Sequence, residues 1–226
     1  MKAPIVIGRG KVAAVFVDLQ EEHRRDSRYL VDRFDTLLAN VQAIQAAARA
    51  TGAALYHFAY VVDPADPADT FHPKMPDGSS IFSNKGHPWT EICGEVAPAD
   101  GERLIVKTQA SAFSAASLAE EIRQLGMEWV LVAGVWTEAC IDATVKDAIR
   151  AGFRVLLVKD ACSSGTEAMH QTAILNLANR LYGGAVIDTA GACRLLKGEA
   201  VEVWMVEGST PFRFTYDTAA DLYRNL

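Results

Sequence analysis

The chain has 226 residues, half of them apolar and 22% charged, which is enough to bury one hydrophobic core in a single domain spanning 1–226. Its net charge of −6 at pH 7 and its lack of a Lys/Arg cluster make nucleic acid a poor partner, because phosphates are bound by basic side chains. We find neither an export signal nor a run of about 18 apolar residues, so we expect no membrane segment and a small polar substrate as the partner.

Continuous apolar runs alternate with helical patterns along the chain. The runs predict strands at Val12–Val17, Ala53–Tyr60, Leu104–Val106, Trp129–Ala133 and Val155–Val158, with a weaker one at Ala185–Ile187. The helical patterns between them cover Phe34–Ala50, Ser117–Leu125, Glu138–Ala151 and Glu167–Tyr182. Strands that are apolar throughout are covered on both faces, so this order predicts a mainly parallel sheet between two helical layers, a three-layer α/β/α sandwich.

Two segments depart from this alternation. Residues 63–98 are rich in Pro, Asp, Gly and Ser and exceed the length of an ordinary connection, which predicts a long loop or lid. The C-terminal extension, residues 198–226, contains the apolar stretches Val201–Val206 and Pro211–Tyr216. We interpret it as an added strand or an oligomer contact.

Titratable side chains follow four of the predicted strands. Asp18, Lys107 and Asp160 come at or just after strand ends, and Cys140 lies one short turn beyond another strand. Ligands of open parallel sheets bind beyond the carboxyl ends of the strands. The sequence therefore brings acids, a base and a thiol to the edge where a site is expected.

Cys140 is the candidate nucleophile. We expect Thr137 to cap the following helix, which places Cys140 in its first turn, where the helix dipole and unpaired backbone N–H groups favour a thiolate. The thiol pKa should then be lowered, and the same N–H groups should hold an oxyanion. The other cysteines, Cys93, Cys162 and Cys193, form no C-x-x-C pair and are interpreted as buried free thiols of a cytoplasmic protein.

Three segments resemble, in order and spacing, the signatures of the isochorismatase-like cysteine hydrolases: Val15–Gln20, Val106–Phe113 and Gly134–Cys140. A fourth, Lys159–Ser164 with Glu167 and His170 after it, is similar to the same family, and the resemblance runs from about residue 11 to residue 196. It implies a Rossmann-like sandwich with a six-stranded sheet, assembled as a homodimer or homotetramer.

The resemblance also implies the site residues. The catalytic triad would be Asp18, Lys107 and Cys140. A cis peptide bond would join Val135 and Trp136, and the backbone N–H groups of Trp136 and Cys140 would form the oxyanion hole.

Such a triad predicts cysteine-dependent hydrolysis of a C–N bond in a small amide, N-carbamoyl or ureido compound, through a thioester and with release of ammonia or carbamate. Three alternatives stay open. One is vinyl-ether hydrolysis, which family members can perform without the cysteine. The others are a non-catalytic binding module on the same fold and a redox-sensing thiol at Cys140.

Residues next to the three motifs are candidates for the pocket wall. Gln20, Phe113 and Trp136 are interpreted as substrate-binding residues, with plain core as the alternative for the aromatic ones. The long loop offers further candidates, namely Phe71, His72, Lys74, Asn84, Lys85, His87 and Trp89. The charge run Glu21–Asp26 is interpreted mainly as a solvated face.

Nicotinamidases similar to this chain bind a metal through an Asp-x-His motif and a further His after the second strand. The corresponding stretch, Tyr56–Asp63, lacks that motif. His57, His72 and His87 are interpreted as separate hydrogen-bonding side chains rather than ligands of one ion. We therefore predict no catalytic metal and no cofactor.

Overall fold

The computed structural model describes residues 1–66, 72–208 and 210–226, and in these ranges the strands form one twisted sheet. They are β1 (Lys2–Ile5), β2 (Val12–Val17), β3 (Ala54–Tyr60), β4 (Arg103–Lys107), β5 (Trp129–Val135), β6 (Arg154–Ser163), β7 (Ala185–Ile187) and β8 (Val201–Trp204). Their order across the sheet is β1-β8-β7-β6-β5-β2-β3-β4. The central strands β2 and β5 thus neighbour each other, which is where the predicted site residues converge.

The sheet is parallel from β7 to β4, as the apolar runs predict. The expected number of six strands is wrong, because the described residues include eight. β1 and β8 pair antiparallel with each other beyond β7. Both alternate between more and less exposed residues, so neither forms the fully buried apolar run by which β2 and β5 are recognised. For Val201–Trp204, the interpretation as an added strand is correct.

Helices cover both faces of the sheet. They are α1 (Glu22–Arg25), α2 (Phe34–Thr51), α3 (Leu118–Gln124), α4 (Asp142–Arg150), α5 (Glu167–Ala178), α6 (Thr189–Leu196) and α7 (Tyr216–Arg224). One apolar cluster joins the sheet to α2 and α6, and a second joins it to α3, α4, α5 and α7. Successive residues of β2 belong alternately to the two clusters and all are buried, which is why that strand reads as apolar throughout.

Two predicted helices have different bounds in the structure. The pattern Glu138–Ala151 divides into a π-helical turn, Thr137–Ile141, and the α-helix α4. The pattern Glu167–Tyr182 ends at Ala178, where α5 stops. The helical patterns predicted from the sequence do not include α1, α6 or α7.

The long loop, as far as it is described, is irregular apart from two short 3₁₀ turns, Pro88–Thr90 and Gly94–Val96. It is tied to the segment that follows β2: the Glu21 N–H donates to the Glu91 carbonyl at 2.9 Å, and the Cys93 N–H donates to the Leu19 carbonyl at 2.8 Å. Phe71 lies outside the described residues. Among the helices of the described ranges, none has the length and apolar character needed to cross a membrane.

β5 passes closest to β2 at a glycine. Gly134 pairs with Val17 and has φ = +131°. A Cβ atom at this position would lie 2.1 Å from the Val17 carbonyl oxygen, so only glycine fits. The close approach joins the two strands that carry Asp18 and the Cys140 turn at their carboxyl ends.

Gly134→Ala should lower the free energy of unfolding by about 3 kcal/mol or more, since backbone must move to relieve the clash. Urea denaturation measures this. Gly94→Ala is the matched control, because its added Cβ would meet no atom within 4 Å, and it should cost less than about 1 kcal/mol. Equal free energies of unfolding for the two variants would contradict the conclusion that only glycine fits where β5 approaches β2.

Candidate active site

Asp18 and Lys107 form a buried ion pair at the carboxyl edge of the sheet. Asp18 directly follows β2, and Lys107 is the last residue of β4. The Lys107 Nζ donates to Asp18 Oδ2 at 2.7 Å, and the side chains are only 1% and 5% exposed. β3 lies between the two strands, and the lysine crosses its end with Nζ 4.9 Å from the centre of the Tyr60 ring. The long side chain thus brings a cation to an acid two strands away.

Asp18 is held in an uncommon backbone conformation. Its φ is +54°, which non-glycine residues rarely adopt, and such residues cluster at functional sites. The Asp18 N–H donates to the Phe58 carbonyl at 2.9 Å, which fixes the turn against β3. Within the described part of the chain, its Oδ1 is buried without a hydrogen-bond partner. One carboxylate oxygen therefore binds Lys107, and the other has a free acceptor position.

Cys140 shares this environment. Burial, the largest cause, and the negative charge of Asp18 together raise the pKa of its thiol to about 12, while Lys107 acts in the opposite direction. Burial also raises the pKa of Asp18, while Lys107 lowers it. The expected lowering of the thiol pKa is therefore wrong. Loss of water and the adjacent carboxylate outweigh the lysine and the helix dipole, so the resting side chain is a neutral thiol.

The turn that carries Cys140 is fixed differently from the expectation. Trp136, not the expected Thr137, occupies the capping position. The peptide bond between Val135 and Trp136 is cis, as the family resemblance implies. Thr137 is fully buried, and its hydroxyl donates to the Ser163 carbonyl at 2.9 Å. The Trp136 carbonyl accepts the Ala139 and Ile141 N–H groups at 3.0 and 3.2 Å. Cys140 thus lies in a π-helical turn that side chains anchor to the end of β6.

A cavity of about 520 Å³ opens above Asp18 and Cys140. Four aromatic side chains, Tyr29, Tyr60, Phe82 and Trp136, line it together with the two reactive groups. A larger hollow of about 680 Å³ lies between the first residue and the C-terminal helix, and its described lining includes neither a cysteine nor a lysine. The smaller cavity is therefore the candidate active site.

The three predicted substrate-binding residues differ in position. Trp136 lines the cavity and donates its indole N–H to His23 Nδ1 at 3.3 Å. Gln20 also borders the cavity, but its amide binds the backbone of Tyr60 and Thr90, so it mainly holds the loop in place. Phe113 does not line this cavity. Its ring packs on Phe153, 5.9 Å between centroids, within the second apolar cluster, so the alternative of plain core applies to it.

Two cavity residues come from the charge run after Gln20, which the sequence analysis interpreted mainly as solvated. Glu22 and His23 are both buried in the cavity wall. The Glu22 carboxyl accepts the Ser83 N–H at 2.9 Å and the Ser83 hydroxyl at 2.5 Å. Burial lowers the pKa of His23 to about 4, so its ring is neutral. Nothing in the run separates these buried side chains from the exposed Arg25, so the sequence carried no signal for them.

The long loop contributes Phe82 and Ser83 to the cavity rather than the residues named from the sequence. Lys85 pairs with Asp63 at 2.9 Å on the surface. The described candidates His72, Lys74, Asn84, Lys85, His87 and Trp89 are not among the cavity residues. Asp160 lies within β6, and its carboxylate accepts the Thr189 N–H and hydroxyl at 2.7 and 2.8 Å. It therefore holds the first residue of α6 in place and is not part of the site.

The three histidines considered as metal ligands, His57, His72 and His87, make separate contacts. His57 bonds Glu102 at 2.8 Å, His72 bonds the Ser80 hydroxyl, and the His87 ring accepts the Trp89 N–H at 3.2 Å. Among the described residues, one group has metal-ligand spacing, namely Glu21, Cys93 and Glu95. Both of its carboxylates already bind the Arg24 guanidinium, and Glu21 also pairs with Arg25 at 2.7 Å, so two cations balance the two carboxylates and the group does not fit a further cation.

Comparisons with known proteins agree with this architecture. The sequence profile of the Isochorismatase domain matches residues 12–191. Maleamate amidohydrolase from Pseudomonas putida is 34% identical over 102 residues, which are 45% of this chain and 47% of that protein, so the match spans less than half of its length. N-carbamoylsarcosine amidase from an Arthrobacter species is 26% identical over 182 residues, or 77% of this chain and 68% of that protein.

A solved structure shares the fold. An isochorismatase family protein from Desulfovibrio vulgaris aligns with a TM-score of 0.72 at 24% identity, over 84% of this chain and 100% of that chain. The three-layer sandwich with a mainly parallel sheet, expected from the sequence, is thereby confirmed.

Asp18→Asn should make the Cys140 thiol more reactive. The substitution removes a negative charge that raises the thiol pKa and leaves Lys107, which lowers it. Modification of Cys140 by iodoacetamide at about pH 8, followed by peptide mass spectrometry, should therefore be roughly three- to tenfold faster. The exposed Asp217→Asn is the matched control and should leave the rate unchanged. Slower modification of Cys140 in a folded Asp18→Asn protein would contradict the assigned electrostatics.

Proposed function

This chain belongs to the isochorismatase domain family, and we propose that it is a cysteine-dependent amidohydrolase. Its substrate would be a small amide, N-carbamoyl or ureido compound whose C–N bond is hydrolysed through a thioester on Cys140. The observation that carries the proposal is the buried Asp18–Lys107 pair, which leaves one carboxylate oxygen without a partner at the base of the cavity that Cys140 lines.

The relatives support a C–N bond as the target. Two of them are named as an amidohydrolase and an amidase. Cys140 itself favours the same class, since hydrolysis of a vinyl ether needs a proton donor and no nucleophile. A thiol beside a carboxylate is the combination that acyl transfer requires.

In the first half of the reaction, the Asp18 carboxylate accepts the Cys140 thiol proton as the sulfur attacks the carbonyl carbon. The carbonyl π electrons move onto oxygen, and the backbone N–H groups of Trp136 and Cys140 stabilise the resulting oxyanion. When the tetrahedral intermediate collapses, the C–N bond breaks and the Asp18 carboxylic acid protonates the departing nitrogen. Ammonia or an amine leaves, and the acyl group stays on sulfur as a thioester.

In the second half, Asp18 accepts a proton from water as the water oxygen attacks the thioester carbonyl. The C–S bond breaks, the acid product leaves, and Asp18 returns the proton to sulfur. The Lys107 ammonium group lies beside the Asp18 carboxylate and the Cys140 sulfur throughout, so it stabilises the thiolate as that forms.

The neutral resting thiol suits this cycle. A carboxylate whose pKa is raised by burial is a better base toward the thiol and, once protonated, still an acid strong enough for the leaving nitrogen. The proton moves only when a carbonyl occupies the cavity, so the protein need not hold a free thiolate between turnovers.

Cys140→Ala should abolish turnover because no other group can form the thioester. A screen for ammonia release across small amides, N-carbamoyl amino acids and ureides identifies the substrate, and the variant's rate on it should fall by at least about a thousandfold. Cys193→Ala, at a free cysteine in α6 remote from the triad motifs, is the control and should retain activity. A folded Cys140→Ala protein with near-normal activity would refute the proposal.

We also expect the activity to need no metal. Dialysis against EDTA should leave the rate of ammonia release unchanged, because the thiol, carboxylate and ammonium supply the nucleophile and the proton transfers. Elemental analysis of the purified protein is the accompanying measurement. Stoichiometric zinc or iron, with activity lost on chelation and restored by the metal, would overturn this expectation.

A further inference from the structure

The C-terminal helix lies beyond the region that the family profile matches, yet its Tyr223 is linked to the turn that carries Cys140 through His170. α7 begins at Tyr216, 25 residues after the profile's last matched residue, 191. Its Tyr223 ring packs edge-on against His170 of α5, 5.4 Å between centroids, and Lys159 Nζ lies 5.2 Å from the centre of the same ring. Asn179 exchanges hydrogen bonds of 3.1 and 3.0 Å with the Phe212 backbone, which holds the segment leading to the helix.

A chain of hydrogen bonds leads from Tyr223 to the nucleophile turn. The Tyr223 hydroxyl lies 3.0 Å from His170 Nε2, and His170 Nδ1 lies 2.8 Å from the Thr137 hydroxyl oxygen. Thr137 opens the π-helical turn that contains Cys140, and Trp136 immediately precedes it. His170 and Thr137 are both buried, so these groups depend on each other for hydrogen bonds.

The direction of each bond follows from the number of protons available. A carbonyl can only accept, so the single Thr137 hydroxyl proton goes to Ser163, at 2.9 Å. Thr137 must then accept from His170, which places the imidazole proton on Nδ1. The Tyr223 hydroxyl has two possible acceptors, the unprotonated Nε2 of His170 at 3.0 Å and the Lys159 carbonyl at 3.4 Å, and the shorter contact assigns its proton to Nε2. Burial lowers the pKa of His170 to about 4, in keeping with this neutral ring.

The Tyr223 hydroxyl therefore selects the imidazole tautomer that can hold Thr137. A second bond steadies the same turn, because the Ser164 hydroxyl donates to Glu138 Oε1 at 2.8 Å. Glu138 bonds Ser164, the residue that follows β6, whereas Thr137 is the member of the turn linked to the C-terminal extension. Loss of the tyrosine proton would free Nε2 to carry the imidazole proton instead, and the donor toward Thr137 would disappear.

We propose that Tyr223 is a positioning residue, through which the C-terminal helix holds the turn carrying Cys140 and the Trp136 N–H in its reactive geometry. This inference rests on the proposed function for its effect on turnover. Its effect on the reactivity of the Cys140 thiol does not depend on the proposed function. The role of the C-terminal extension is then to set the tautomer of the His170 imidazole, which bonds Thr137 in the turn that carries Cys140.

Tyr223→Phe is the test, because it removes the proton donor and keeps the ring against His170 and Lys159. We expect kcat to fall roughly three- to tenfold with KM unchanged, the size expected for one hydrogen bond that matters in the transition state. Tyr216→Phe is the matched control, since Tyr216 begins the same helix and is fully solvated. Equal kcat values for the two variants would overturn the proposal.

A second background separates positioning from a general loss of packing. His170→Asn keeps an amide N–H that can reach Thr137 but cannot respond to Tyr223. In that background Tyr223→Phe should cause no further loss of kcat, because asparagine has no imidazole tautomers for Tyr223 to select between. An additional loss of the same size in His170→Asn would mean that Tyr223 acts by packing alone, and the proposal would be wrong.

Iodoacetamide modification of Cys140 provides a readout that needs no substrate. A loosened turn exposes the thiol, so modification in Tyr223→Phe should be roughly threefold faster than in Tyr216→Phe. If no substrate is found in the ammonia screen, the proposed function fails, and this rate still decides the positioning role. An unchanged modification rate would reject it.

Discussion

Lys107 and Asp18 are held 2.7 Å apart with almost no contact with water. Neither group could be buried alone, because transferring a single ion into the protein costs several kcal/mol, and removing one partner leaves that cost uncompensated. Their pairing lets the sheet hold an acid at the base of an aromatic cavity while one of its oxygens has no partner. The chemistry proposed for Cys140 depends on this arrangement, since the same carboxylate raises the thiol pKa at rest and is positioned to accept its proton.

The surrounding fold makes this pairing possible. Gly134 lets β5 approach β2 closely, so the turn after β5 begins beside the residue after β2. Lys107 reaches across the end of β3, where the Tyr60 ring lies against its ammonium group. The long loop closes the cavity from the other side through Ser83, which binds the buried Glu22. These are distant parts of the sequence that meet because parallel strands end at one edge.

Much of this arrangement could be predicted from the sequence, for a physical reason. Strands buried on both faces must be apolar throughout, so the central strand β2 and Asp18 directly after it were readable. Lys107 ends β4, a mostly exposed edge strand, and its role was implied by the resemblance of Val106–Phe113 to a family motif. Strands with one exposed face are not distinct in this way, and β1 was missed. Whether Glu22 and His23 face the cavity or solvent depends on how the loop packs on them, which no local pattern encodes. The predicted lowering of the Cys140 pKa was wrong because it rested on the position of the residue in the helix. Burial and the adjacent acid, which are both tertiary effects, raise that pKa instead.

The central claim is that Cys140 forms a covalent acyl intermediate beside the Asp18–Lys107 pair. Acid quenching during steady-state turnover, followed by mass spectrometry of the Cys140 peptide, measures this directly. The account predicts an adduct with the mass of the substrate acyl or carbamoyl group on that cysteine, absent when the substrate is omitted. Sustained turnover with an unmodified Cys140 peptide, in a protein that accumulates the adduct on another residue, would contradict it.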